Sequence, residues 1–108
     1  MNVKELNEMV KNNQKEELEK TIKEIEKYIV SRGSRGFNNF KVSTSIDYKI
    51  TIKEWMISFL REYFEDNGYK VEVKEIKTIT RGIEKLLGIY DPGYLMIISW
   101  EKINNKIN

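Results

Sequence analysis

The 108-residue chain contains no cysteine and no histidine. Without cysteine no disulfide forms, which fits a reducing compartment. Zinc sites of the Cys/His kind are excluded, and so are cysteine nucleophiles and Ser–His relays. Catalysis would be confined to carboxylates, lysine, tyrosine or a hard metal. Proline occurs once, at Pro92, and arginine only at Arg32, Arg35, Arg61 and Arg81. Long apolar runs are also missing. The longest, residues 94–98, is far too short to cross a bilayer, and the N-terminus turns acidic at Glu5 with no apolar signal region. Nineteen basic and seventeen acidic residues leave a net charge of +2, which disfavours a nucleic-acid binder working by phosphate neutralisation. The expectation is a cytoplasmic, non-membrane protein of one domain, with no cofactor and no metal.

What the chain does have is patterned. Residues 51–68 carry Ile52, Trp55, Met56, Phe59, Leu60, Tyr63 and Phe64 at helical spacing, with Lys53, Ser58, Arg61, Glu62 and Glu65 opposite. Thr51 and Glu54 read as a capping box, Ile50 and Trp55 as a hydrophobic staple, and Asn67-Gly68 as the stop. This helix is expected to form the lid of the core. Residues 3 to about 31 read as a longer helix, weakened at Asn12-Asn13 because Asn competes for helical hydrogen bonds. Its stripe of Leu18, Ile22, Ile25 and Ile29 is narrow, near a coiled-coil seam. Packing on the domain's own sheet and pairing with another copy are both open readings. Gly33 is the expected C-terminal cap of that helix.

Three stretches read as strands. From Phe40 the apolar residues alternate through Val42 and Ile46, and after Gly68 they alternate through Tyr69, Val71 and Val73 until a slip at Glu75-Ile76 predicts a bulge or an end. Asp91-Pro92-Gly93 predicts a turn. The run from Tyr94 to Trp100 is nearly continuous in apolar character, as expected for a central strand covered on both faces. The fold class is therefore α+β: a three-stranded split β-α-β sheet, one covering helix and a long N-terminal helix, with the order 1-3-2 preferred for the doubly apolar last strand although 1-2-3 fits the hairpin equally well. The long helix, or a partner subunit, is expected on the other face. Residues 1–32 form the helical arm, 37–101 the core and 102–108 a frayed tail.

Two stretches are candidates for binding. Ser31-Arg32-Gly33-Ser34-Arg35-Gly36 places two arginines among glycines, the chemistry that grips a phosphate, although it fits no phosphate-loop pattern. The ordinary alternative is a solvated connector. The insert of residues 78–93, with the strand that follows, offers Arg81, Tyr90 and Tyr94, a cation beside aromatic faces that stack a base. There Ile83, Leu86 and Leu87 are expected to dock on the core or a neighbouring subunit. The ligand-binding set is thus Arg32, Ser34, Arg35, Arg81, Tyr90 and Tyr94. Trp55 and Trp100 read as core residues, and no carboxylates have catalytic spacing.

Gly68-Tyr69-Lys70-Val71 and Ile98-Ser99-Trp100, with Leu60 upstream, resemble a pattern in small uncharacterised phage accessory proteins of low-GC hosts. The likeness runs from about residue 22 to 100, and the long insert before Tyr94 departs from it. It implies a non-enzymatic anti-defence protein that binds and blocks. One form is an oligomeric sponge for a small anionic, nucleotide-like signal, and another a protein–protein inhibitor of a host or CRISPR-type protein; apart from the resemblance, Lys70, Lys74, Lys77 and Arg81 leave a nucleic-acid-binding module as a further alternative.

Overall fold

The computed structural model describes residues 2–78, 86–88 and 91–101. Its elements are α1 (Val3–Ser34), β1 (Asn39–Ser43), a 3-10 turn (Glu54–Met56), α2 (Ile57–Asp66), β2 (Lys70–Thr78) and β3 (Asp91–Ser99). The three strands form one antiparallel sheet in the order β1-β3-β2. The apolar run around Met96 therefore occupies the centre, as its composition predicts.

Strand alternation decides where the core lies. Phe40 and Val42 of β1, Val71 of β2, and Met96 and Ile98 of β3 share one face and are buried. Ile25 and Ile29 of α1 and Leu60 and Phe64 of α2 belong to the same cluster. Both helices consequently cover the same face, which corrects the expectation that α1 lies across the other one. Tyr28 stacks on Phe40 at 5.1 Å, and Lys53 reaches Glu17 at 2.6 Å. The opposite face carries Leu95 and Ile97, half-buried between Lys41, Glu72 and Lys74.

Other local expectations change in informative ways. The capping box does not form. Thr51 instead donates its hydroxyl to the Ser45 carbonyl at 3.2 Å, and Ile52 N–H bonds the Ser43 carbonyl at 2.8 Å. The segment is held beside β1, and the helical turn starts only at Glu54. Phe59 is 53 % exposed, whereas Leu60 is fully buried. α1 runs unbroken through Asn12 and Asn13; both are exposed, so their side chains compete weakly with a continuous ladder. Its N-cap is Asn2, which accepts from Glu5 N–H at 2.8 Å. β2 passes through Glu75 and Ile76 in unbroken register to Thr78, paired with Asp91, so the expected bulge and the expected Pro92 turn are both strand. Leu86 and Leu87 are 87 % and 68 % exposed and do not dock on this chain's core. Arg81, Ile83, Tyr90 and the tail at 102–108 lie outside the described residues.

Both helices end in the same motif. After α2, Gly68 N–H bonds the Glu65 carbonyl and Tyr69 N–H bonds that of Phe64, with Gly68 at φ +89°. After α1, Gly36 N–H bonds the Gly33 carbonyl and Phe37 N–H bonds that of Arg32, with Gly36 at φ +87°. This is the Schellman arrangement, in which a left-handed glycine follows the last helical turn. The cap of α1 is thus Gly36, and Gly33 lies inside the helix. A Cβ at Gly33 would meet nothing nearer than Trp100 Nε1 at 3.7 Å, an ordinary contact.

Two measurements follow from these ends and from Tyr63. Gly33→Ala should raise stability by about 0.5–1 kcal/mol, whereas Gly36→Ala should lower it by about 1 kcal/mol; urea midpoints check both. Tyr63 is held above its ordinary pKa of 10.0 by burial and then by the neighbouring Glu26 carboxylate. Well below pH 10 the hydroxyl is protonated in both folded and unfolded chains and its contribution to stability is complete. As pH climbs past 10 the unfolded chain ionises first and stability is lost. Denaturation above pH 10 should therefore be shallower in Tyr63→Phe than in the parent.

Candidate functional site

The residues between β1 and the 3-10 turn are fixed by a hydroxyl network. Ser43 Oγ donates to the Tyr94 carbonyl at 2.8 Å and accepts from Ser45 N–H at 3.0 Å. Thr44 and Tyr94 exchange bonds as well: Thr44 N–H to the Tyr94 carbonyl at 3.1 Å, and Tyr94 N–H to Thr44 Oγ1 at 3.0 Å. Ser45 Oγ donates to the Asp47 carboxylate. Ser43 and Ser45 are the buried polar residues of the chain's described part, and both are satisfied. Short hydroxyl side chains that bond nearby backbone favour bends over extended chain. The alternation through Ile46 therefore breaks after Ser43, and Ile46 is exposed.

This bend lays Asp47, Tyr48 and Lys49 alongside the outer edge of β1. Arg32 approaches from the end of α1. Its Nε–H donates to the Asn39 carbonyl at 2.6 Å, and its guanidinium lies 4.3 Å from the Phe37 ring centre. The result is a cleft of about 300 Å³ lined by Arg32, Asn39, Phe40, Lys41, Asp47, Tyr48 and Lys49. Backbone direction adds a donor. Thr44 N–H and Asn38 C=O point to β3, so by alternation Asn39, Lys41 and Ser43 turn theirs outward. Arg32 takes the Asn39 carbonyl, and residues 50–52 take Ser43. Lys41 keeps its N–H open to the cleft side among the described residues. Arg32, Lys41 and Lys49 against Asp47 leave the lining with a net charge of +2, suited to an anion with an aromatic face at Tyr48.

Of the residues singled out from the sequence, Arg32 enters this cleft. Ser34 bonds back to the Ser31 carbonyl at 2.8 Å at the exposed end of α1. Arg35 lies 5.5 Å from the Phe37 ring centre, outside the lining. Tyr94 sits five residues from Ser99 along β3, roughly 17 Å from the Arg32 end at strand spacing. It lines a separate cleft of about 690 Å³ with Glu54, Trp55, Ile57, Ser58 and Val73, none of them cationic. The arginines and Tyr94 are therefore not brought together, because Arg32 and Tyr94 lie at opposite ends of the central strand. Lys41, Asp47, Tyr48 and Lys49 escaped the sequence reading. Their signal was the Ser43-Thr44-Ser45 run before Asp47, a turn-forming composition.

No group of three or more His, Cys, Asp or Glu side chains poised for a metal ion occurs among the described residues, and no helix among them is long and apolar enough to cross a membrane. No family model, curated protein or solved structure matches the chain. Ser43→Ala tests the network that builds the cleft. It removes the partner of Ser45 N–H and one of the two donors to the Tyr94 carbonyl and should cost about 1–3 kcal/mol, with faster amide exchange at residues 44–50.

Proposed function

We propose that the chain is a non-enzymatic binding protein whose cleft beside β1 takes a small anionic, nucleotide-like ligand. The observation that carries this reading is the gathering of Arg32, Lys41 and Lys49 around one cleft that also holds Tyr48. Guanidinium and ammonium groups supply charge for a phosphate, the outward N–H of Lys41 supplies a directional donor, and Tyr48 supplies a stacking face for a base. The one carboxylate among the lining residues, Asp47, accepts from Ser45 Oγ–H, and the chemistry proposed for the cleft is capture. With its resemblance to phage accessory proteins, the chain reads as a cytoplasmic sponge for a nucleotide signal of host defence. Arg32 keeps its expected role, while Lys41, Lys49 and Tyr48 replace Ser34, Arg35 and Tyr94 in it.

A second reading rests on β2. It is nine residues long and lies at the edge of the sheet, the geometry by which a strand of another protein is added. An inhibitor of a host protein would use that edge and leave the cleft empty.

Calorimetry with inorganic phosphate and a panel of cyclic and linear nucleotides separates the two. Binding is expected for at least one nucleotide, with affinity falling at least about tenfold in Lys41→Gln/Lys49→Gln and with rising salt. Silence across the panel would remove the anion reading.

A further inference from the structure

On the core face of the sheet, β1 ends opposite Leu95, whereas β2 follows β3 as far as Asp91. The core layer stops near the same place. Met96 is fully buried, and Tyr94, two residues earlier on that face, is half-buried. The 3-10 turn and the first turn of α2 lie over this margin. They leave a cleft of about 690 Å³ between Glu54, Trp55, Ile57 and Ser58 on one side and Val73 and Tyr94 on the other, a space that holds a small organic molecule. Its walls are fixed by the fold. The Tyr94 carbonyl accepts from Ser43 Oγ–H at 2.8 Å and from Thr44 N–H at 3.1 Å, and its N–H donates to Thr44 Oγ1 at 3.0 Å. Trp55 packs against the core cluster and meets Phe59 edge to face, with ring centres 6.3 Å apart. Trp55 and Tyr94 are both half-buried, so part of each ring stays accessible.

The chemistry of the lining selects the ligand. Glu54, exposed at the first position of the 3-10 turn, is the one charged side chain among the described lining residues. Lys53 beside it is engaged by Glu17 at 2.6 Å. Glu75 stands opposite Tyr94 in the β2–β3 register and adds a second carboxylate to the same face of the sheet, while Lys77, two residues on, pairs with Pro92 outside the lining. An anion therefore meets repulsion here, and a neutral apolar molecule leaves the carboxylate unused. A cation with an apolar coat uses every wall. Ring faces attract it through their quadrupoles within about 6 Å, Glu54 supplies the opposite charge, and Ile57 and Val73 receive alkyl groups. A bare ammonium is strongly hydrated, whereas methyl groups spread its charge over a surface that rings can match. We propose that this cleft binds a small quaternary or alkylated ammonium compound, with Trp55 and Tyr94 as its aromatic walls and Glu54 as the counter-ion.

Titration of the full chain with choline and with benzyltrimethylammonium tests this, read by the indole N–H signals in proton–nitrogen NMR spectra. Trp55 and Trp100 are the chain's two tryptophans. Trp100 follows β3 at its far end and packs on Tyr69, so a cation in the cleft moves one indole signal and leaves the other; Trp55→Phe assigns them. Choline is expected to bind at least about tenfold more tightly than dimethylbutanol, its neutral isostere with a tert-butyl group in place of trimethylammonium. Glu54→Gln should raise the dissociation constant about threefold or more, and Tyr94→Leu about tenfold. Tyr94→Phe keeps the ring and should change it less than about twofold. The bonds of Tyr94 to Ser43 and Thr44 are main-chain on the Tyr94 side, so the Leu variant retains them, and an unmoved Trp100 signal checks its fold. A Trp55 signal indifferent to both cations, equal binding of the neutral alcohol, or affinity unchanged in Glu54→Gln overturns the assignment. The variants leave Arg32, Lys41, Tyr48 and Lys49 untouched and the probes carry the opposite charge to a phosphate, so this site and the anion cleft fail separately.

Discussion

A single apolar layer between one face of the sheet and two helices holds this protein together. Met96 and Ile98 are its floor, and Ile25, Ile29, Leu60 and Phe64 are its roof. Because β3 lies between β1 and β2, its Met96 and Ile98 are reached from both sides, and they are fully buried. Burial of this kind is worth about 1.5–3 kcal/mol per large side chain before chain entropy is subtracted. With both helices on one face, the other face of the sheet is left to Leu95 and Ile97 among flanking long polar side chains. Those side chains shade apolar surface with their methylene stems while keeping their charges in water.

The candidate cleft depends on that layer only indirectly. Its immediate cause is the bond set around Ser43, Thr44 and Ser45, which turns the chain back along β1 and holds it there. A Schellman turn at Gly36 aims α1 away and leaves Arg32 beside the same strand edge. Two turns of chain, one governed by hydroxyl groups and one by a left-handed glycine, thus bring distant cations to a common space. Both turns are closed by the chain's own hydrogen bonds, so the fold alone sets the shape of the cleft.

Helices, strand order and the central position of β3 were legible because they follow from periodicity. Met56, Leu60, Tyr63 and Phe64 recur at helical spacing and join one core cluster from the 3-10 turn and α2, and a strand without alternation is placed in the centre of the sheet. The cleft was not legible. Lys41 read as the polar member of an alternating strand, and the hydroxyl run at Ser43-Thr44-Ser45, which bends the chain, sat inside a strand read as continuing to Ile46. Arg35 and Tyr94 were misplaced for the converse reason: local chemistry marked them, but distance along β3 separates Tyr94 from the arginine end, and Arg35 points to Phe37.

What the chain's order of residues determined by itself is its α+β content and the exclusion of thiol and imidazole chemistry, with a preference for the β1-β3-β2 order, since these depend on spacing and composition. Tertiary structure alone decided that both helices share a face, that Gly36 rather than Gly33 ends α1, and that Arg32 meets Lys41 and Lys49. Each of those outcomes turns on contacts between residues far apart in sequence or on which of several local hydrogen bonds wins. Periodicity carries no information about either.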